Sequence, residues 1–271
     1  MPELPEVETI RRQLSDLIPC TIIDFRLSEH FQSLCKREDF QFKKKEKILS
    51  IERYAKYLNF NLTSGVMISH LGMSGGWRIS KEGIFAKHTH LALKIKKEKN
   101  TYYLSYVDPR RFGKMYFLEK KNFLELQNNR PVEIGDEKFN LSHLKTLIKR
   151  YPKRMIKPFL LDQHSFPGIG NYMASEICAL SFIHPERRAE TLSEEDMERI
   201  LYSIREVISR AVGSLGNSFH GGYRDAHGEL GEAKSNMVVF YQKICQLCQK
   251  EEVKKIILQG RGTYFCSRCQ K

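Results

Sequence analysis

Cys245-Gln246-Leu247-Cys248 and Cys266-Ser267-Arg268-Cys269 decide how the chain folds at its C-terminal end. Two Cys-x2-Cys pairs separated by 17 residues fit a ribbon in which each pair gives two thiolates to one tetrahedral zinc ion. Disulfides would need an oxidising compartment, for which nothing in the sequence argues. Cys20, Cys35 and Cys178 are scattered and read as reduced, inert thiols. Between the pairs, residues 254–258 and 263–266 are β-like runs around Gln259-Gly260-Arg261-Gly262, a hairpin tip that presents Arg261. Such a tip suits a backbone phosphate, and taken alone it suits an ordinary exposed turn as well.

Upstream of the ribbon the texture is helical. Residues 141–151, 155–162 and 171–180 read as helices, and a longer one runs from Ser193 to about Val212, with Asp196 completing a capping box and Gly213 stopping it. The Gly-, Ser- and His-rich stretch 214–236 reads as an exposed, mobile loop, and 120–140 as a polar connector. Earlier still, 57–62, 90–95, 102–107 and 115–118 alternate as half-buried strands, many and short, which predicts a sandwich or barrel. Val7, Ile10, Leu14 and Leu17 recur at helical spacing near the start. The fold class is α+β and multidomain.

The 271 residues allow two domains or one with an appendage. Hydrophobic content of 41% with 16 Phe and 12 Tyr argues for packed cores rather than disorder. The formal net charge of +13 and pI near 9.4 point to a polyanionic partner. Four thiolates and one divalent cation would lower that charge only to +11, leaving the conclusion unchanged. Part of the excess sits in clusters, Lys43-Lys44-Lys45 with Lys47 and Lys96-Lys97 with Lys99, which read more readily as solvated faces. No apolar run reaches membrane-spanning length and no secretory leader is evident. The expected location is cytoplasmic, on the nucleoid while acting on DNA.

Met1-Pro2-Glu3-Leu4-Pro5-Glu6 carries the clearest chemical signal. Removal of Met1 would leave a secondary amine beside two carboxylates. An α-amine has a reference pKa of about 7.7–8.0, so a neutral, nucleophilic fraction exists near pH 7. Glu3 and Glu6 stand close enough to move protons for it. The same residues also suit a plain helix start, with proline in the first turn and acids at its positive end. Pro167-Gly168-Ile169-Gly170-Asn171 lets backbone N–H groups face an anion at a helix start, or forms a tight interhelical turn. In His70-Leu71-Gly72-Met73-Ser74-Gly75 and Asp108-Pro109-Arg110-Arg111-Phe112-Gly113, Met73 and Phe112 are shaped to fill a gap in a base stack, and Arg110 to bond an unpaired base. Each of these, alone, also reads as packing or surface.

Together, and in this order, these segments resemble the formamidopyrimidine-DNA glycosylase family over nearly the whole chain. The resemblance includes Pro2 to Glu8, Ala55-Lys56-Tyr57-Leu58, the two loop segments above, Gly168 to Asn171 with Ala174-Ser175-Glu176, and the ribbon. It implies an N-terminal helix with a β-sandwich over 1–127, a helix-two-turn-helix domain with a lesion loop over 128–236, and a zinc ribbon over 237–271. It further implies that Pro2 attacks the sugar of a flipped nucleotide, that Glu3 protonates the ring oxygen, and that Glu6 helps hold the site. Lys56, Asn171 and Arg261 would grip phosphates, with Lys56 and Arg261 counted in the catalytic set. Met73, Arg110 and Phe112 would fill the vacated space, and His70, His88, Tyr223 and Arg224 would also contact DNA. The Zn2+ would be structural, because four thiolates leave no position for water. The expected activity is base excision of oxidised purines from duplex DNA followed by β,δ-elimination, by a monomer.

Two other readings stay open: an endonuclease VIII-like enzyme for oxidised pyrimidines, and a zinc-dependent damage binder without catalysis. Leu4, where the pyrimidine branch has glycine, and the full Met73, Arg110 and Phe112 trio favour purines. The chain departs from the family at Phe240-Tyr241-Gln242-Lys243, where Tyr-Gly-Arg is common, and at Gln249, where glycine is usual. Ser218 to Lys234 starts like the lesion loop and then drifts.

Overall fold

The computed structural model describes residues 2–35, 45–83, 85–219 and 222–271, apart from the side chains of 233 and 234. Met1, Lys43 and Lys44 lie outside the described residues. The chain forms two compact units: 1–130 with 214–231, and 131–213 with 232–271.

The first unit opens with α1 (Leu4–Ser15), whose Val7, Ile10 and Leu14 are fully buried, as their spacing predicts. Each such side chain contributes about 1.5–3 kcal/mol through burial. Eight strands follow: β1 (Cys20–Leu27), β2 (Lys47–Tyr54), β3 (Tyr57–Leu62), β4 (Val66–His70), β5 (Gly76–Ser80), β6 (Thr89–Lys97), β7 (Asn100–Val107) and β8 (Lys114–Leu118). They pair antiparallel in the order β5-β7-β6-β1-β2-β3-β4-β8 and fold into a sandwich. Leu91, Leu93 and Ile95 of β6 point inward while Lys94 and Lys96 alternate outward, the period-2 pattern of a half-buried strand. Trp77 anchors the core, packed on Phe60 at 4.9 Å and Tyr106 at 5.5 Å, with its indole N–H on Ser69. The expected connector 120–140 instead holds α2 (Lys120–Asn128), a mostly exposed helix whose Phe123 alone is buried.

In the second unit, α3 (Leu141–Arg150), α4 (Ile156–Leu160), α5 (Asn171–Leu180) and α6 (Glu194–Gly213) form the helical body. Asn140 caps α3 by accepting His143 N–H at 3.1 Å. The capping box at α6 is real: Asp196 N–H donates to Ser193 Oγ and Ser193 N–H to Asp196 Oδ2. α5 is buried from Tyr172 to Ala179, Ser175 and Glu176 included, so it is covered on all sides. The short α7 (Ala233–Asn236) leads to the ribbon, whose β9 (Lys254–Leu258) and β10 (Arg261–Phe265) pair antiparallel. Gln259 and Gly260 both have positive φ, +46° and +73°, which makes a two-residue turn. Arg261 therefore begins β10, opposite Leu258, instead of occupying the tip.

The segment 214–231 also differs from expectation. It packs with the first unit rather than the helical one. Among its described residues Asn217, Tyr223, Asp225 and Ala226 are buried while Leu215, Arg224 and Leu230 stay exposed, so this is a strap pinned at points along its length. The cause is a set of polar anchors on α1. Gln13 donates to Asp225 Oδ2 at 2.6 Å and accepts Ala226 N–H at 2.8 Å, while Ala226 C=O takes Ile79 N–H of β5.

Candidate active site and nucleic-acid interface

The start of α1 is a cluster of buried carboxylates. Pro2, Glu3 and Glu6 are all buried. Glu6 Oε2 accepts Glu3 N–H at 2.7 Å, and Oε1 accepts Asn217 N–H at 2.9 Å. Tyr223 donates its hydroxyl to Glu6 C=O at 3.3 Å. Glu6 thus ties the strap to the helix start and fixes the backbone that carries Glu3. Tyr223, expected at the DNA surface, sits instead in this packing layer, and burial pushes its hydroxyl pKa far up. The side-chain amide of Asn217, also buried, has no partner among the described residues.

Lys56 is nearly buried in the turn between β2 and β3. His70 ends β4 opposite Tyr57, its ring 4.8 Å away. Burial first, and the charge of Lys56 second, hold its pKa below the ordinary value, which favours the neutral ring. Nδ1 accepts Gly72 N–H at 3.2 Å, which places the ring proton on Nε2 as a donor.

One buried carboxylate assembles the Met73, Arg110 and Phe112 trio. Asp108 Oδ1 accepts Ser74 Oγ–H at 2.6 Å and Arg110 N–H at 3.3 Å, and Oδ2 accepts Gly113 N–H at 2.8 Å. It staples the 70–75 loop to the 108–113 loop. Gly72 is required at this seam: its φ is +66°, and a Cβ there would lie 2.6 Å from Gly113 N. Met73 and Phe112 are left 41% and 50% exposed, large apolar side chains in the open. Arg110 stacks over Phe112 at 4.7 Å. His88, with φ +67°, is exposed and passes its C=O to Asp108 N–H, so it joins the same loop system. Arg224 is exposed on the strap and donates to Gly228 C=O.

In the second unit, Asp162 and Gln163 shape the turns ahead of α5. Asp162 accepts His164 N–H and Ser165 Oγ–H, and Gln163 accepts Gly168 N–H. Asn171, expected to aim its amide at an anion, donates it to Gly262 C=O at 3.0 Å, binding α5 to the ribbon. Its Oδ1 accepts from Lys157 at 2.7 Å. Lys157 is fully buried and also donates to Thr263 Oγ1 at 2.8 Å. Only its place in an apolar stretch, Ile156-Lys157-Pro158-Phe159, marks it in the sequence. Beside exposed Arg261 lies a cavity of about 390 Å³ lined by Arg154, Met155, Pro158, Leu161, Asp162 and Gln259. Arg154 is held there by Asp162 at 2.6 Å.

The ribbon is bound to α5 by Glu176. This buried carboxylate accepts the N–H groups of Val238, Val239 and Phe240 at 2.6–2.9 Å. Burial nonetheless pushes its pKa up. The sulfurs of Cys245, Cys248, Cys266 and Cys269 lie within 4.8 Å of one another, with Cys248 and Cys266 at 3.9 Å. Four thiolates at 2.3 Å from a tetrahedral ion would be about 3.8 Å apart, so the cluster fits a metal. Backbone N–H groups of Glu251 and Lys250 hold the Cys248 thiol down to about 6. Tyr241 and Gln249, at the two departures from the family, have φ of +58° and +52°, a conformation that suits glycine.

Two family models match: the formamidopyrimidine-DNA glycosylase N-terminal domain over residues 1–115, and the H2TH domain of that family over 131–220. A formamidopyrimidine-DNA glycosylase of Listeria innocua is 34% identical, with both chains covered in full. The chain belongs to the formamidopyrimidine-DNA glycosylase family. It is therefore an enzyme of DNA-glycosylase type. A relative of the same name from Zymomonas mobilis is 35% identical, again over the full length of both. Among solved structures, a Lactococcus lactis mutant bound to Fapy-dG-containing DNA matches with TM-score 0.86 and 31% identity over all of both chains. The Thermus thermophilus protein matches with TM-score 0.83 and 32% identity, covering 99% of this chain and 98% of that one. Among the described residues no helix is long and apolar enough to cross a membrane.

Proposed function

We propose that this chain is a bifunctional DNA glycosylase and AP lyase that removes oxidised purines, 8-oxoguanine and formamidopyrimidines, from duplex DNA. The observation that carries this reading is the start of α1, where Pro2 directly precedes two buried carboxylates fixed by the strap. Once Met1 is removed, the proline nitrogen attacks C1′ of a flipped nucleotide and the C1′–N bond to the damaged base breaks. Glu3 protonates O4′ as the sugar ring opens, leaving an iminium between Pro2 and C1′. Loss of a C2′ proton expels the 3′ phosphate, and a second elimination expels the 5′ phosphate.

Lys56 and Arg261 serve as phosphate-gripping cations in the catalytic set. His70, His88 and Arg224 contact the DNA backbone, and Asn171 contributes by holding the ribbon to α5. Met73, Arg110 and Phe112 occupy the space that the flipped nucleotide vacates, which offsets an extrusion cost of a few kcal/mol. Cys245, Cys248, Cys266 and Cys269 hold one structural Zn2+. The partner is double-stranded DNA with oxidised bases or abasic sites, bound by a monomer. The basic composition and the DNA-bound relatives support this.

Borohydride reduction should trap the protein covalently on 8-oxoguanine duplexes, and Pro2→Gly or a retained N-terminal extension should suppress it. Undiminished trapping in both variants would assign the chemistry to another nucleophile. Faster cutting at thymine glycol than at 8-oxoguanine opposite cytosine would assign the enzyme to oxidised pyrimidines.

A further inference from the structure

The turn that carries Lys56 is restrained from α1. Tyr54 pairs with Tyr57 across β2 and β3, so Ala55-Lys56 is a two-residue hairpin turn. Ala55 takes φ +51°, where such turns ordinarily place glycine or asparagine. A buried alanine in that conformation needs its surroundings to hold it.

Arg53 does so. Its Nη1 donates to Ala55 C=O at 3.2 Å and its Nε to Glu8 Oε2 at 3.1 Å. Glu8 belongs to α1 and also accepts from Arg11 at 2.8 and 3.0 Å and from Arg12 at 2.9 Å. Burial opposes the charge on Glu8, but the bonds from Arg11 and Arg12 and the neighbouring guanidinium charges win, holding its pKa down to about 2. The carboxylate is thus ionised throughout the working range. It fixes a planar guanidinium whose other edge pins the carbonyl immediately before Lys56. A lysine at 53 could not span both acceptors with the same rigid fork.

We infer that Arg53, locked by Glu8, is a positioning residue that sets the Lys56 ammonium in register with the start of α1. This rests on the reading of Lys56 as a member of the catalytic set. It ties that helix directly to the sheet, separately from the Glu6 anchor, which joins the helix to the strap.

A double-mutant cycle with an independent labelling arm tests it. In single-turnover cutting of an abasic-site duplex, Arg53→Met should slow strand scission at least 10-fold with Lys56 present and under 2-fold in a Lys56→Met background. Arg53→Lys should fail to restore the rate. Without DNA, reductive methylation read by mass spectrometry should modify Lys56 at least 3-fold faster in Arg53→Met and Glu8→Gln. The fully buried Lys157 serves as the reference for general loosening. Should Arg53→Met not fold, Glu8→Gln carries both measurements. Equal rate losses in both backgrounds, or Lys56 labelling that rises only in step with Lys157, would overturn the inference. A wild-type protein that cuts no lesion duplex would defeat the proposed function, while the labelling would still judge the clamp.

Discussion

The two units use the same device on different foundations. In the first, buried Glu6 captures backbone N–H groups of Glu3 and of Asn217, 211 positions away. In the second, buried Glu176 captures three N–H groups at 238–240. Each carboxylate ties a distant segment to a helix. The strap of the first unit then rests on an extensive core that includes Trp77, Phe60 and Tyr106. The ribbon buries fewer apolar side chains, Val238 to Phe240 with Tyr264 and Phe265 among them, leaves Ile257 of its hairpin 75% exposed, and adds a cluster of four sulfurs. A polar anchor is enough where apolar burial is large; where less is buried, a metal on the four thiolates, as proposed, would add folding free energy.

Removing the metal should expose that difference most strongly. Chelation, or Cys266→Ser, is expected to abolish DNA binding by unfolding the ribbon while leaving the sandwich's own melting transition in place. Calorimetry alongside fluorescence anisotropy with lesion DNA would check this, and a single shared transition lost on chelation would break the contrast. Next in size, Trp77→Ala should destabilise the first unit by about 3–5 kcal/mol, the cost of a large core cavity. Urea titration followed by circular dichroism would measure it, and the metal content per chain should not change below the transition.

Acid should act on the first unit through Glu8. Its carboxyl pKa falls from 4.5 to about 2 in the folded chain, so its stabilisation is complete above pH 4.5 and is lost as pH falls toward 2. Glu8→Gln should cost about 2 kcal/mol at pH 7, allowing for solvent screening around the arginines, and the gap from wild type should close across that window. Denaturant melts at several pH values would show it. The smallest effect concerns one exposed cation on the ribbon. Arg261→Ala should reduce the salt dependence of DNA binding by about one charge unit, with no change in melting temperature. An unchanged slope would mean that Arg261 does not touch the backbone.

Much of the architecture was legible wherever a residue's own pattern dictates its environment. The strand at 57–62, the capping box at Ser193 and Asp196, and the four cysteines all follow from local periodicity or spacing, and each is present. Met73, Arg110 and Phe112 lie exposed on loops where strands end, as their segments read in the sequence. What could not be read were polar residues whose partners are remote. Lys157 bonds across to the ribbon, Asp108 joins two loops, and Arg53 reaches α1, yet in the sequence each is one more charged residue. Nor does the order of residues show that Tyr223 donates its hydroxyl to Glu6 C=O or that Asn171 donates to Gly262 C=O. The stretch 214–236 reads as mobile because it is rich in Gly, Ser and His, while the anchors that hold it lie on α1.

By itself, then, the sequence determined the helix start with Pro2 and its two acids, the alternation that buries one face of β6, and the thiolate set. These depend on neighbours a few residues away or on chemistry that only cysteine supplies. Tertiary structure alone decided which buried charges hold the site: Glu6 on the strap, Asp108 between the loops, Glu8 on Arg53 and Glu176 on the ribbon. A carboxylate taken out of water must find donors wherever the fold brings them, and that choice is made in space, with no trace in the order of residues.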